Sequence, residues 1–230
     1  MRLAVLLFVI VSGLLLAGCG SGGQEEQGGG DGGEAPSSGS SQVGSGVSGQ
    51  RVEVGGTEAL LWGEGDYGVV LSHGSVYDAA SWRPQAEKIA ENSMAALAVE
   101  DTSTESLAAA ARHLKEERGV SEVAFIGASA GAGTVLDLAR EREDLVDQMI
   151  LLSGSGDAAG LGGYPKLFVA SEDEGLADTV RQMTQEAPGE NNKVLILPGD
   201  AHAQAIFDSD QGDRLTQAIL ERLQRYGGAG

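Results

Sequence analysis

The segment 122–141, EVAFIGASAGAGTVLDLARE, decides the fold class of this chain. Its first half is a short apolar run typical of a buried strand, and its second half has apolar residues at helical spacing. Between them lies 127–131, GASAG, a G-x-S-x-G pattern centred on Ser129. Small residues suit a sharp strand-to-helix turn, because the backbones approach each other closely there. The pattern alone leaves two interpretations open: Ser129 is a nucleophile, or the small residues only let the helix pack tightly on a sheet.

Short apolar runs and helical patterns alternate on both sides of this segment. Strands are predicted for RVEV, EALLWG, YGVVLS, MAALAV, SEVAFIG, QMILL, KLFVA and NKVLIL. Helices are predicted at 79–92, 105–119, 132–143, 176–185 and 212–226. Such alternation indicates an α/β fold with a mostly parallel central sheet and helices on both faces.

The N-terminal segment predicts export and lipid attachment. Arg2 precedes an apolar run at 3–16, which is shorter than the roughly 20 residues of a membrane-spanning helix and typical of a signal peptide. The run ends in Leu-Ala-Gly-Cys, which resembles the lipobox of bacterial lipoproteins. The resemblance implies cleavage before Cys19, lipidation of that cysteine, and an extracytoplasmic protein anchored to the bacterial cell membrane. An uncleaved N-terminal anchor and an ordinary secretory signal are the alternative interpretations.

The composition divides the rest of the chain and excludes one class of partner. Residues 1–18 are the predicted signal peptide, 19–50 are the lipidated cysteine with a flexible Gly/Ser-rich linker, and 51–230 are the folded domain. The net charge of −19 argues against nucleic-acid binding, which needs clustered Lys and Arg. Cys19 is the only cysteine, so no disulfide forms within the chain. No cofactor or metal is predicted.

A nucleophilic Ser129 needs a base at the same edge of the sheet. Ligands of open parallel sheets bind at the carboxyl ends of the strands, and a serine hydroxyl is normally activated by histidine. His202 follows the last predicted strand and is the predicted base. His113 lies within a helical pattern beside charged residues and is interpreted as a solvated surface residue. His73, which follows the YGVVLS strand, is interpreted as a residue that shapes its loop.

The base in turn needs a carboxylate at its second ring nitrogen. Asp173, in the sequence LFVASEDEG after the preceding strand, is the predicted acid. The strand end is uncertain by one residue, so Glu172 and Glu174 stay as alternatives. Asp157, which follows an earlier strand, is a further alternative source.

An oxyanion formed by attack on a carbonyl needs N–H donors that are already in place. One predicted donor is the backbone N–H of Ala130, the residue after the nucleophile. The second is the backbone N–H of Ser75, or else that of Val76, in the loop LSHGSVYDAASW. Gly74 gives this loop its backbone freedom.

With these four elements in the order loop, Ser129, Asp173 and His202, each after a strand, the segment from Arg51 to Tyr226 resembles the α/β-hydrolase family. The resemblance implies an α/β-hydrolase fold, with Ser129 as nucleophile, His202 as general base and acid, and Asp173 as the orienting acid. Within the family, the chain most resembles small serine esterases and dienelactone-hydrolase-like members. Dienelactone hydrolases proper have a cysteine where this chain has Ser129.

The predicted function is cleavage of a small carboxylic ester through an acyl-enzyme. Thioesters and amides would use the same groups, and a non-catalytic binding module at the cell surface is the alternative from another class. The segment between the predicted strands near Ile150 and Phe168 is short and rich in Gly, Ala and Ser. It has no room for a helical cap, so an open site is expected. Tyr77, Trp82 and Tyr164 are candidates to line it, and Trp82 suits core packing equally well.

Overall fold

The structure is a computed structural model that describes residues 49–227. Within that range eight strands form one sheet in the order β1-β2-β4-β3-β5-β6-β7-β8. The strands are β1 (Gln50–Val54), β2 (Thr57–Trp62), β3 (Tyr67–Ser72), β4 (Ala95–Val99), β5 (Glu122–Ala128), β6 (Gln148–Leu152), β7 (Lys166–Ser171) and β8 (Asn192–Leu197). Each coincides with a strand predicted from the sequence.

In the part of the chain that the structure describes, five α-helices cover the sheet. They are α1 (Arg83–Glu91), α2 (Thr104–Glu117), α3 (Ala130–Glu141), α4 (Ala177–Glu186) and α5 (Gly212–Tyr226). Short 3-10 helices lie at Ala79–Trp82, Glu143–Leu145 and Ala203–Asp208. The helix predicted at 79–92 is therefore divided: a 3-10 turn comes first, and α1 begins beside Pro84, which needs no hydrogen-bond partner for its nitrogen in a first helical turn.

The sheet is mostly parallel, as predicted. β1 and β2 form an antiparallel hairpin, and β2 pairs antiparallel with β4. All remaining neighbours, from β4 through β3, β5, β6 and β7 to β8, are parallel. The carboxyl ends of these six mutually parallel strands therefore lie at one edge of the sheet, which is the edge where open parallel sheets bind ligands.

Apolar side chains fill both faces of the sheet. Adjacent residues of β5 point to opposite sides, so Phe125 packs with α2, α3 and α4, whereas Ile126 packs with α1 and α5. Both side chains are almost completely buried. Burial on two faces explains why the central strands are continuous apolar runs instead of alternating ones.

His113 departs from its sequence-based interpretation. It lies on α2 as expected, but its side chain is only 12% exposed, and its Nδ1 lies 3.3 Å from the Glu117 carboxylate. The expectation of a solvated surface residue is therefore wrong. The helix turns His113 towards the protein because its neighbours Ala110, Ala111 and Leu114 face the core.

Between β6 and β7 the described chain contains neither helix nor strand. In this segment, 153–165, the apolar side chains of Ala158 and Leu161 are buried. The expectation that no cap covers the carboxyl edge is confirmed.

Candidate active site

Ser129 lies at the sharp turn between β5 and α3. Its backbone has φ 52° and ψ −113°, a left-handed conformation that a serine adopts only when its surroundings impose it. The flanking glycines explain how the turn fits. A Cβ added to Gly127 would lie 2.7 Å from the Cα of Ala132, and one on Gly131 would collide with the carbonyl oxygen of Ser72. The small residues thus serve a strained turn, and not merely close helix packing.

His202 is brought to Ser129, as the sequence predicts. Its Nε2 lies 2.8 Å from the Ser129 hydroxyl oxygen. The residue lies between β8 and the 3-10 helix that starts at Ala203, and its side chain is 50% exposed. His73 is elsewhere: its ring nitrogens lie 2.9 Å and 3.1 Å from the carbonyl oxygens of Gly74 and Glu100. Those contacts agree with its interpretation as a loop-shaping residue.

The carboxylate beside His202 is that of Glu174, so the prediction of Asp173 is wrong by one residue. Glu174 Oε2 lies 2.6 Å from His202 Nδ1, and the Glu174 side chain is only 2% exposed. The displacement has a physical reason. Pairing with the β8 chain continues past the end of β7, because Asp173 donates its backbone N–H to Gly199. The chain turns only at Gly175, which has φ 87°, so Glu174 is the residue that the turn directs inwards.

The other candidate acids are not at the site. Glu172 and Asp173 are exposed. Asp157 is also exposed, and its carboxylate accepts a hydrogen bond from the backbone N–H of Ala159. Glu174 is the only carboxylate in contact with His202 in the part of the chain that the structure describes.

Ser153 holds the Glu174 carboxylate in place and was missed by the sequence analysis. Its hydroxyl donates to Glu174 Oε1 at 2.8 Å and accepts the backbone N–H of Ala203 at 2.8 Å. The backbone N–H of Ser171 donates to the same Oε1 at 2.6 Å. Ser153 follows β6 in a Gly/Ser-rich sequence that resembles any other turn, so no local signal distinguishes it.

Backbone strain is concentrated here. Between residues 49 and 227, four residues other than glycine have positive φ: Ser93, Ser129, Ser153 and Ala203. The last three belong to the hydrogen-bonded group around His202. Strained backbone of this kind persists where the surroundings over-determine it, and it is common at active sites.

The loop after β3, residues 73–78 and called the β3 loop below, approaches Ser129. A Cβ added to Gly74 would lie 3.5 Å from Ser129 Cβ. The Tyr77 N–H donates to the Gly74 carbonyl oxygen, which places Ser75 and Val76 at the exposed tip of a tight turn. Within residues 49–227 the Ser75 N–H has no acceptor.

Two N–H groups therefore match the predicted donors. One is that of Ser75 in the β3 loop. The other is that of Ala130, which is the first residue of α3 and so precedes the residues that donate within the helix. Their use as an oxyanion hole stays a prediction.

Of the three aromatic residues expected to line the site, only Tyr77 is near it. Trp82 is fully buried and packs edge-to-face against Phe207, with ring centroids 6.0 Å apart. Tyr164 precedes β7 and so lies at the amino edge of the sheet, with its ring 4.4 Å from the Lys166 ammonium. The expectation for Tyr164 is therefore wrong, because a residue before a parallel strand cannot reach the edge at which that strand ends.

The loops at the carboxyl edge are uniformly acidic. These loops are 73–78, 100–103, 172–176 and 198–202, together with the first residues of the segment 153–165. They contain no Lys or Arg. Their acidic residues are Asp78, Glu100, Asp101, Glu172, Asp173, Glu174 and Asp200.

No protein-family model and no curated protein matches the sequence. Solved structures match the fold. The chain is similar to a dienelactone hydrolase from Anabaena variabilis, with 19% identity and a TM-score of 0.66 over 79% of this chain and 98% of that one. It is similar to Est1E from Butyrivibrio proteoclasticus, with 14% identity and a TM-score of 0.63 over 78% and 98%. An enol-lactonase from Burkholderia xenovorans gives 15% identity and a TM-score of 0.58 over 76% and 100%.

These similarities identify the fold as that of the α/β-hydrolases, which confirms the predicted fold class. The matched structures are covered almost completely, so the described domain spans the whole of their fold.

Proposed function

We propose that this chain is a serine hydrolase that cleaves carboxylic esters through an acyl-enzyme. One observation carries the proposal: the hydrogen-bonded series from Ser129 through His202 to Glu174, with Ser129 held on a strained turn. A serine, a histidine and a carboxylate in this order are the groups that nucleophilic acyl transfer requires. The names of the similar structures, which include esterases and an enol-lactonase, support an ester or lactone substrate.

In the proposed reaction, Ser129 Oγ attacks the carbonyl carbon while its proton moves to His202 Nε2. Glu174 accepts a hydrogen bond from His202 Nδ1 and stabilises the imidazolium. The N–H groups of Ser75 and Ala130 stabilise the oxyanion. His202 then returns the proton to the leaving alkoxide, and a water molecule, activated by the same nitrogen, releases the acid and regenerates Ser129.

The shape and charge of the carboxyl edge favour a particular kind of ester. The β6–β7 segment forms no cap, and half of the His202 side chain is exposed, so an ester reaches the site directly from solvent. The acidic loops repel anions over a distance of about 10 Å at 0.1 M salt. We therefore infer a preference for neutral, short-chain esters over esters that carry a carboxylate.

Covalent labelling tests the proposal directly. The wild-type chain is expected to react with a fluorophosphonate probe and to hydrolyse p-nitrophenyl acetate. Ser129→Ala should abolish both, whereas the matched control Ser155→Ala, which changes an exposed serine of the β6–β7 segment, should retain both. A wild-type chain that is neither labelled nor active would refute the enzyme and leave a binding module as the function.

A comparison of two p-nitrophenyl esters, the neutral acetate and the negatively charged monosuccinate, tests the charge preference. The ratio of kcat/KM for p-nitrophenyl acetate to that for the monosuccinate ester should exceed one at low salt and fall as salt screens the acidic loops. A ratio that does not change with salt would contradict this part of the proposal.

We also propose that the chain is anchored to the bacterial cell membrane through a lipid on Cys19. The proposal rests on the apolar run and the Leu-Ala-Gly-Cys sequence, which lie outside the residues that the structure describes. Across residues 49–227, no helix combines the length and the apolar character needed to cross a bilayer. Cys19→Ala should move the chain from the membrane fraction to the soluble fraction and prevent incorporation of an alkyne-tagged fatty acid. Continued retention without incorporation would favour an uncleaved N-terminal anchor.

A further inference from the structure

Gln204 connects two loops that belong to distant strands. It lies two residues after His202 in the 3-10 helix Ala203–Asp208, and its side chain is buried, with the residue only 4% exposed. Its Oε1 accepts the backbone N–H of Gly74 at 2.9 Å, and its Nε2 donates to the Ser81 hydroxyl at 2.8 Å. β3 and β8, which lead to these loops, are separated in the sheet by β5, β6 and β7.

We propose that Gln204 is a positioning residue that fixes the β3 loop relative to His202, so that the oxyanion donor and the base keep one geometry. The inference rests on the proposed serine-hydrolase function. Gln204 touches neither Ser129 nor His202 through any described hydrogen bond, so its effect passes through the loop.

The contacts of the amide side chain fix both ends of the segment that carries the donor. At the start of the segment, Gly74 is held through its N–H by Gln204 and through its carbonyl oxygen by the N–H of Tyr77. At the end of the segment, the Ser81 hydroxyl accepts a hydrogen bond from Gln204, and the Ser81 N–H donates to the Asp78 carboxylate, which caps the 3-10 helix Ala79–Trp82. The Ser75 N–H lies on the turn between these two points, so its direction depends on them.

The other side of the connection is equally fixed. Gln204 is separated from His202 only by Ala203, whose φ is 53° and whose N–H is bound by the Ser153 hydroxyl. Ser153 in turn binds Glu174, the residue that contacts His202. Gln204 therefore joins the β3 loop to a rigid group that already contains the base and its acid.

The position of Gln204 also decides which N–H of the loop is available. The Gly74 N–H already donates to Gln204 Oε1 and is therefore not available to a substrate. The Ser75 N–H next to it remains available to bind the oxyanion. A side chain that cannot accept a hydrogen bond would release Gly74 and leave the direction of both groups undefined.

Gln204→Met tests the inference, because methionine has similar length without the acceptor. An oxyanion donor acts only in the transition state, so kcat should fall while KM stays within about twofold. Complete loss of a donor costs about 100- to 1,000-fold, so its displacement should cost about 10- to 100-fold in kcat/KM for p-nitrophenyl acetate.

A trifluoromethyl ketone gives a readout that a merely structural role would not move. Ser129 Oγ adds to the ketone carbon, the carbonyl electron pair moves to oxygen, and the serine proton moves to His202. The resulting oxyanion occupies the same place as that of an ester. The affinity of Gln204→Met for this compound should fall by the same factor as kcat/KM.

Two further variants control for stability and for the second contact. Gln217→Met makes the same change at an exposed position of α5 and should keep wild-type kinetics. Ser81→Ala removes the partner of Nε2, together with the bond from the Ser81 hydroxyl to the Asp78 carbonyl oxygen, and keeps the Gly74 contact. Its loss in kcat/KM should therefore be smaller than that of Gln204→Met.

Hydrogen exchange separates this inference from the proposed function. The Gly74 amide should exchange at least tenfold faster in Gln204→Met than in the wild type, whether or not the chain is active. Unchanged exchange, or faster exchange with kcat/KM within threefold of wild type, overturns the inference. A wild-type chain that is neither labelled nor active overturns the proposed function, and the exchange measurement then still decides whether Gln204 holds the loop.

Discussion

The two edges of the sheet both contain polar groups in hydrogen-bonded networks, but they use them differently. At the amino edge, the Lys166 ammonium is fully buried and donates to the backbone carbonyls of Gly162, Tyr164 and Pro188. At the carboxyl edge, Glu174 and Ser153 are bound to each other and to the loop of His202, and the network ends at the Ser129 hydroxyl.

The difference lies in how each network ends. The amino-edge network ends on backbone groups, so it ties loops together and has nothing left to react. The carboxyl-edge network ends on a side-chain hydroxyl next to a half-exposed imidazole. Similar side-chain chemistry therefore ties loops together at one edge and, in the proposed reaction, orients the Ser129 oxygen at the other, and mutations should separate these two effects.

The largest expected effect is on activity at the carboxyl edge. Glu174→Gln should lower kcat for p-nitrophenyl acetate by about 1,000- to 10,000-fold, because His202 loses the carboxylate that fixes its tautomer and stabilises its cation. The melting temperature should change little. Asp173→Asn and Asp157→Asn are the matched controls and should retain wild-type kcat, since both side chains are exposed. A greater loss of kcat in Asp173→Asn than in Glu174→Gln would show that Asp173 is the acid, as the sequence predicted.

The next effect is on stability at the amino edge. Lys166→Met should lower the free energy of unfolding by at least about 3 kcal/mol, because three carbonyl groups lose their buried donor and each unsatisfied buried group costs about 1–3 kcal/mol. Urea denaturation measures the change, and kcat/KM of the folded fraction should equal that of the wild type. Lys193→Met, an exposed position on β8, is the control and should stay within about 0.5 kcal/mol of wild type. A loss of kcat/KM in Lys166→Met would remove the contrast between the edges.

Ser153→Ala should affect both quantities moderately, because Ser153 connects the acid to the loop of the base. Its removal leaves the buried N–H of Ala203 without its acceptor, which should cost about 1–3 kcal/mol of stability. It also removes one of the two hydrogen bonds that hold Glu174 Oε1, so kcat should fall as well. Unfolding and steady-state kinetics on the same preparation test this. Wild-type kinetics with reduced stability would make Ser153 a structural residue only.

The smallest effect is the pH dependence of the amino edge. Burial lowers the pKa of Lys166 from 10.5 to about 8. The unfolded chain therefore binds more protons than the folded chain between these two values, and stability should rise with pH across that interval. The difference in unfolding free energy between wild type and Lys166→Met, measured in urea at pH 7.5 and at pH 9.5, should increase in favour of wild type. A difference that is constant with pH would contradict the lowered pKa.

The fold was largely predictable because hydrophobic spacing reports directly on burial. The run around Phe125 and Ile126 is apolar at every position, as a strand covered on both faces must be. The strained Ser129 and its contact with His202 were also predictable, since both residues follow a strand whose end is visible in the sequence.

The acid and the supporting residues were not predictable for a reason of geometry. Whether Asp173 or Glu174 faces His202 depends on how far pairing continues beyond β7, and hydrophobicity does not record that. Ser153 and Gln204 act through hydrogen bonds to groups more than 20 positions away, Glu174 and Ala203 for the first and Gly74 and Ser81 for the second. Sequence patterns describe neighbours along the chain, whereas these contacts depend on the assembled edge of the sheet.

The uncapped β6–β7 segment also makes the domain a practical scaffold. Both ends of the segment are tied to the sheet, since Ser153 donates its N–H to Val169 and the Pro165 carbonyl accepts the N–H of Met149. In between, Gly160 is exposed, and a side chain added there would meet open space. Its neighbours Asp157 and Gly162 are bound by Arg140, at the end of α3, and by Lys166, at the amino edge. A peptide or a second domain inserted at Gly160 would therefore lie away from Ser129 and leave the hydrogen bonds around it in place.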